Sequence, residues 1–210
     1  MSMTLAALVA KVTAAVPTQN GAPSADQYEG CVQDAAEDLS ARKSHQKVVT
    51  LSIVAGTGSY ALPSDFLRAI RIEALLATDG VLISDVGLIP VDAAWEELYT
   101  YAGQTLTITP TPVYTTSRRL LYVAGHVLDG AEAYPDMTTQ EGALVALKAQ
   151  ALALGLQANA ALREGWKYQI GDEMVDKAEL AAGFSKQAAA LDEVYRRAVL
   201  AAVGPYGSRG

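Results

Sequence analysis

The fold is decided around residues 56–68, GTGSYALPSDFLR, which lie between a helical part of the chain and a part rich in strands. The two glycines predict a turn, and Tyr60 opens an extended run. Pro63 ends that run, because a proline keeps the residue before it out of the helical region. We expect Ser64 to cap a first helical turn beyond the proline, with Asp65 at its positive end.

This stretch carries no catalytic or phosphate-binding pattern. A phosphate-binding loop would need a Lys-Ser or Lys-Thr pair after the glycines and a helix directly behind them, and neither is present here. Serine-nucleophile patterns of the Gly-x-Ser-x-Gly kind are also absent from the chain. The stretch is therefore interpreted as architecture.

Two helices are predicted before it. Apolar residues at helical spacing indicate a first helix over Thr4–Val16, which Pro17 ends. A capping box of Ser24 and Gln27 then begins a helix that runs to about Ser44. Its apolar stripe consists of Tyr28, Cys31, Val32, Ala35 and Leu39.

The periodicity then changes to two, which predicts strands. The candidate segments are 49–53, 70–76, a return over 81–83 after the Asp79-Gly80 turn, 106–108 and 119–124. A short turn over 93–98 would bring Trp95 inward. Pro110 and Pro112 predict an edge strand or an exposed loop at 106–112, because proline cannot donate to a central ladder.

Two more helices follow. Thr138 and Glu141 form a second capping box before an alanine-rich helix. A break at 165–171 holds Trp166 and Tyr168, and Asp172 is expected to cap a last helix that reaches about Val203. We interpret Trp166 and Tyr168 either as core or as anchors for a partner.

The order of elements predicts an α+β fold. Helices from the two ends can bury their stripes only against each other, so the strands form an inserted antiparallel sheet. We predict one structural domain: helices over 1–46, the β insertion over 47–127, helices over 128–203 and a flexible tail over 204–210.

Composition and net charge limit the classes of function that the chain can have. The 210 residues are 50% hydrophobic and carry a net charge of −7, which disfavours a protein that grips nucleic acid tightly through clustered basic residues. No apolar run is long enough for a membrane span, and Thr4–Val16 lacks the basic region of a signal peptide. We expect a soluble protein that is made in a reducing cytoplasm.

No cofactor or metal is predicted. His45 and His126 lack a second ligand at a helical offset and are expected at the surface or in an interface. Cys31 is interpreted as a small buried hydrophobe, and Asp34, Glu37 and Asp38 as a solvated helix face. With ten tyrosines, which are common at contact surfaces, the chain looks like an interaction protein and not an enzyme.

The motif Tyr60-Ala61-Leu62-Pro63-Ser64-Asp65-Phe66 resembles the Tyr-x-Leu-Pro-x-Asp-Phe signature of phage head-to-tail adaptor (connector) proteins. The helix over Tyr28–Ser40 is similar to the Cys/Ala-rich helix that precedes the signature in that family. The segment 106–112, followed by Leu120-Leu121-Tyr122, resembles a later hairpin. The likeness covers Tyr28 to Gly125, and the signature residues are Tyr60, Leu62, Pro63, Asp65 and Phe66.

The resemblance implies a virion structural protein located in the phage neck. Such adaptors form a homo-oligomeric ring, commonly a dodecamer, which binds the portal and a downstream tail or nozzle protein. Genomic DNA passes through the bore during packaging and ejection, without sequence-specific contact. The C-terminal segment docks onto the portal in several members, which by position corresponds to 186–210 here. The candidate portal or subunit contacts are Tyr195, Arg196, Arg197, Val199, Val203, Pro205, Tyr206 and Arg209.

Other functions stay open at this stage. One alternative is another neck or tail component: a stopper, a tail-completion protein or a tail-tube protein. Another is a cytoplasmic small-molecule-binding protein with a pocket between sheet and bundle. Stoichiometry would separate the virion roles, and a well-formed apolar pocket with converging polar groups would favour the small-molecule binder.

Overall fold

The computed structural model describes residues 3–19, 21–74, 99–109, 111–112, 115–164, 167–170 and 173–203. In chain order, its elements are β1 (Met3–Thr4), α1 (Leu5–Ala15), α2 (Ala25–Arg42), β2 (His45–Ile53), β3 (Ser59–Ala61), β4 (Phe66–Ala74), β5 (Tyr99–Ala102), β6 (Thr105–Ile108), β7 (Thr116–Ala124), β8 (Ala133–Tyr134), α3 (Thr139–Glu164), β9 (Lys167–Ile170), β10 (Glu173–Asp176) and α4 (Lys177–Val203). The α+β class predicted from the sequence is confirmed.

The chain divides into two compact units. A helical unit comprises Met1–Lys43 together with His126–Gly210, and a β unit comprises Ser44–Gly125. Both ends of the chain thus belong to the helical unit. Within the β unit, His45 pairs with Ala124 in the β2–β7 ladder, so the insertion begins and ends at neighbouring positions.

The helical unit is built on α3, which packs against α1, α2 and α4. All four helices contribute fully buried side chains to one core, for example Leu8, Val32, Val145 and Tyr195. The stripe predicted on α2, from Tyr28 to Leu39, is buried as expected. None of the described helices combines the length and the apolar character that a membrane span requires.

Both predicted capping boxes are present. The Ser24 hydroxyl accepts from the Gln27 amide at 3.3 Å, and the Gln27 side chain accepts from the Ser24 amide at 2.8 Å. At α3, the Glu141 carboxylate accepts from the Thr138 amide at 2.8 Å, and the Thr138 hydroxyl accepts from the Glu141 amide at 3.2 Å. These bonds satisfy amides that have no partner within the helix.

The start of the last helix was predicted wrongly. Residues 173–176, assigned to the helix from the sequence, form β10, which pairs with β9 in an antiparallel hairpin. The helix α4 begins at Lys177. A second short pairing, between β1 and β8, was also not predicted.

The β unit contains two three-stranded antiparallel sheets, ordered β2-β7-β4 and β3-β6-β5. The expected edge position of the segment around Leu106 is wrong, because β6 is the central strand of its sheet. The strand ends at Ile108, before Pro110, so the prolines do not interrupt its ladder. The interior of the unit is a separate apolar cluster that includes Ile53, Phe66, Leu106 and Leu120.

Several sequence predictions fall outside the described residues. They are the Asp79-Gly80 turn, the return strand over 81–83, the turn over 93–98 with Trp95, Trp166, Asp172 and the tail over 204–210.

The core of the helical unit is tested by one substitution and its matched control. Leu8→Ala removes a fully buried side chain, and we expect it to lower the free energy of unfolding by about 2–5 kcal/mol. Leu162→Ala is the same change at a side chain that is 58% exposed, and it should stay within about 0.5 kcal/mol of wild type. Urea unfolding followed by circular dichroism measures both, and equal effects would contradict this assignment of the core.

Candidate functional site

The Tyr60–Phe66 signature forms the connection between β3 and β4. The Leu62 amide donates to the Gln104 carbonyl at 2.8 Å, and the Phe66 amide donates to the Pro63 carbonyl at 3.0 Å. The second bond closes a turn at Ser64 and Asp65, and the chain then continues as β4. The expected helical turn capped by Ser64 is therefore wrong: after Pro63 the backbone makes a tight turn and becomes extended.

Asp65 joins three parts of the β unit. Its carboxylate accepts from the Lys47 ammonium on β2 at 2.6 Å and from the Tyr122 hydroxyl on β7 at 3.0 Å. Its backbone carbonyl accepts from the Gly125 amide at 2.8 Å. Burial disfavours the ionised carboxylate, but the bonds from Lys47 and Tyr122 outweigh it and lower the pKa of Asp65.

The aromatic residues of the signature also have structural partners. The buried Phe66 ring meets Tyr101 edge-on, with 5.4 Å between ring centroids, and lies 5.8 Å from the Tyr122 ring. The Tyr60 hydroxyl accepts from the Val54 amide at 3.2 Å and donates to the Thr57 carbonyl at 2.6 Å. The signature thus holds the two sheets and the turn before β3 together, with Leu62 buried in the same cluster.

The candidate contact residues on α4 separate by burial. Tyr195 and Val199 are 0% and 3% exposed, so they lie in the core of the helical unit and not on a contact surface. Burial, reinforced by the nearby Asp38 carboxylate, raises the pKa of Tyr195. The exposed candidates are Arg196 and Arg197, which pair with Asp192 and Glu193 at 2.7 Å each. Val203 ends α4, and Pro205, Tyr206 and Arg209 lie outside the described residues.

The residues considered for chemistry are dispersed. Within the part of the chain that the structure describes, no three His, Cys, Asp or Glu side chains are grouped to hold a metal ion. Cys31 is buried, and burial together with Asp34 raises its pKa to about 11, so the thiol stays protonated near neutral pH.

The expected surface position of His126 is wrong. Its side chain is 1% exposed and its Nε2 lies 4.0 Å from the Glu141 carboxylate. The His126 amide donates to the Ser40 hydroxyl at 2.8 Å, while Lys43 lies 3.2 Å from the same Glu141. These contacts fix Lys43 and His126, the residues at which the chain leaves and re-enters the helical unit.

One surface feature was not predicted from the sequence. A groove of about 520 Å³ runs along α1. It is lined by Glu29, Glu132 and six residues of the helix: Leu5, Ala6, Val9, Ala10, Thr13 and Ala14. The sequence signal that could have revealed it is the set of small residues Ala6, Ala10 and Ala14, which lies beside the buried stripe of Leu5, Leu8 and Val12 on α1. Apart from the two glutamates it is lined by small and apolar residues, which suits packing against another protein element better than polar catalysis.

Taken together, the chain folds as a helical bundle with a β insertion, and the Tyr60–Phe66 signature has a structural role within that insertion. The family model described as "SU10 adaptor protein" matches residues 3–206, and the chain belongs to this family of phage head-to-tail adaptors. The resemblance inferred from the signature is thereby confirmed, and the role of the chain is that of a phage neck protein. No curated protein matches the chain.

Asp65 provides a pH-dependent test of the site. We expect Asp65→Asn to lower the free energy of unfolding at pH 7 by about 1.5–3 kcal/mol, because Lys47 and Tyr122 lose a charged acceptor. A carboxyl whose pKa is lower in the folded state contributes stability that is lost as the pH falls through that pKa. The difference from wild type should therefore shrink in acid.

Denaturant unfolding at pH 7 and at about pH 2.5, below the ordinary Asp value, measures this effect. Asp34→Asn, at an exposed position on α2, is the matched control and should change stability little at either pH. A pH-independent loss in Asp65→Asn would contradict the assigned role of the ionised carboxylate.

Proposed function

We propose that this chain is a head-to-tail adaptor whose copies form a ring, commonly of twelve, between the portal and the tail. The observation that carries the proposal is the family match over residues 3–206, which spans both units and not only the signature. In this role the protein is located in the virion neck, contacts a portal protein and a tail or nozzle protein, and catalyses no reaction.

Surface chemistry supports a role in assembly. Large apolar side chains are exposed on the β unit, among them Val48 at 49%, Leu67 at 49% and Tyr101 at 44%. The helical unit exposes Val194 at 52% and Leu200 at 73%. Exposed apolar residues on two different units suit a protein with more than one protein partner.

The charge supports passage of the genome without retention. A net charge of −7 disfavours a tight, sequence-independent grip on phosphates. An acidic wall repels a passing duplex and keeps it mobile. We therefore propose that DNA moves through the bore without sequence-specific contact.

For the portal contact we propose the C-terminal end of the chain, from the exposed end of α4 to Gly210. Arg209, Tyr206 and Pro205 are the candidates in the last seven residues, together with Val203 at the end of α4. A short segment that orders on binding can follow a partner surface at an entropic cost.

Truncation tests this contact. Deleting residues 201–210 removes Gly204–Gly210 and the last turn of α4, beyond the buried Val199. We expect the melting temperature to change by no more than a few degrees and the affinity for the portal protein of the same phage to fall at least tenfold. Circular dichroism and a pull-down with purified portal measure the two quantities, and full portal attachment by the truncated chain would refute the assignment.

A further inference from the structure

The groove on α1 has an acidic residue at each end. The Leu5 amide donates to the Glu132 carbonyl at 2.9 Å, which places Glu132 at the start of α1. The Tyr28 hydroxyl donates to the Val16 carbonyl, so the first turns of α2, which carry Glu29, lie beside the end of α1. Between them the small side chains Ala6, Ala10 and Ala14 line the groove together with Leu5 and Val9, so another helix can approach closely at the alanines.

The local backbone conformation does not favour a glutamate at position 132. Its φ is 53°, in the left-handed region where glycine is favoured and a side chain is strained. Glu132 is nevertheless exposed and lines the groove. A glutamate at a position that favours glycine points to a role for its side chain.

The outer face of α4 presents the complementary pattern. Lys186, Ala190 and Arg197 are exposed and recur at intervals of four and seven residues, so they lie on one face of the helix. Val194 and Leu200 flank this face and are 52% and 73% exposed. Arg197 pairs with Glu193, one turn earlier on the same face of α4. An exposed pair of this kind contributes little stability, so the arginine can change partner.

The two faces have matching lengths. Lys186 and Arg197 are eleven residues apart, which is about 16 Å along a helix. Leu5, which contacts Glu132, and Val16, which contacts the first turn of α2, are separated by the same number of residues. The basic ends of one face can therefore meet the acidic ends of the other at the same time.

The two faces also lie at the same level along the helical unit. Met3 lies beside Gly142 and the Gln157 amide donates to the Pro17 carbonyl at 2.6 Å, so α1 runs parallel to α3. Lys148 pairs with Asp192 at 2.6 Å, and α4 returns antiparallel to α3. As a result Arg197 is level with the Glu132 end of the groove, and Lys186 with the Glu29 end.

We propose that the α1 groove of one subunit receives the outer face of α4 from the next copy of this chain, with Arg197 beside Glu132 and Lys186 beside Glu29. When neighbouring subunits are related by a rotation about an axis parallel to the helices, residues at the same height in one subunit are also at the same height in the next. Because the contact joins two different faces, it is heterologous, the type of contact that forms a ring when the rotation between neighbours closes. This inference rests on the proposed ring and adds which surfaces close it.

Charge reversal tests the pairing. Full-length chain is mixed with the portal protein of the same phage and examined by native mass spectrometry. We expect Arg197→Glu and Glu132→Arg each to reduce the population of closed rings at least tenfold, and the double variant to restore it. Arg163→Glu, at an exposed position on α3 away from both faces, is the control and should form rings as wild type does.

Glu132→Gly separates assembly from folding. Glycine suits the φ of this position, so the melting temperature should be unchanged or higher while ring formation falls. A loss of rings that is accompanied by unfolding would count against the proposal, because it would assign Glu132 a structural role.

A cysteine pair tests proximity directly. Ala10 lies halfway along α1. Ala190 lies half a turn from Asp192, which pairs with Lys148 near the middle of α3. Ala10 and Ala190 therefore lie at about the same height along the helical unit. We expect Ala10→Cys with Ala190→Cys to give a ladder of disulfide-linked multimers under oxidation. Ala10→Cys with Ala182→Cys, about 12 Å further along α4, should not, and the native Cys31 is buried.

The outcomes separate this inference from the proposed function. If wild type forms neither rings nor a portal complex, the proposed function fails and this inference fails with it. If wild type forms rings and both charge reversals form them equally well, only this inference is overturned. It is also overturned if the reversals keep the ring but lose the portal, or if the double variant does not regain rings.

Discussion

The apolar faces of the helices at the two ends of the chain can leave water only by packing against one another, and the rest of the fold follows from this constraint. The core of the helical unit draws on α1, α2, α3 and α4 together, so the middle of the chain must depart and return at neighbouring points. The His45–Ala124 pair at the base of the β2–β7 ladder meets this requirement within the β unit. On the helical side, Ser40 and Glu141 hold the flanking residues His126 and Lys43.

Within the β unit the corresponding anchor is the ionised Asp65. A partly buried carboxylate is costly unless it is paired and hydrogen-bonded, and here Lys47 and Tyr122 both meet it. Each satisfying bond reaches a different strand, so the same interactions that offset burial also hold β2 and β7 to the turn. These contacts give the short motif a structural role within the β unit.

The residues that maintain the fold differ from the residues that are exposed for contact with other proteins. Leu62 and Phe66 of the signature pack in the core of the β unit, and Tyr195 and Val199 pack in the core of the helical unit. Large apolar side chains that are exposed lie elsewhere, for example Val48 on the β unit and Leu200 on α4. An adaptor built in this way can change its partners through surface residues while its two cores stay intact.

The sequence alone determined the class of fold, the bounds of α1 and α2, both capping boxes and the family. These features are encoded within a few residues, because a cap spans three positions and an apolar helical stripe repeats every three or four. Tertiary structure alone decided that β6 is central, that residues 173–176 form a strand, that His126 is buried and that the two candidates Tyr195 and Val199 lie in the core. Strand order and burial depend on partners far away in sequence, as where Val48 pairs with Leu121, and no local pattern of residues specifies which distant partner will be met.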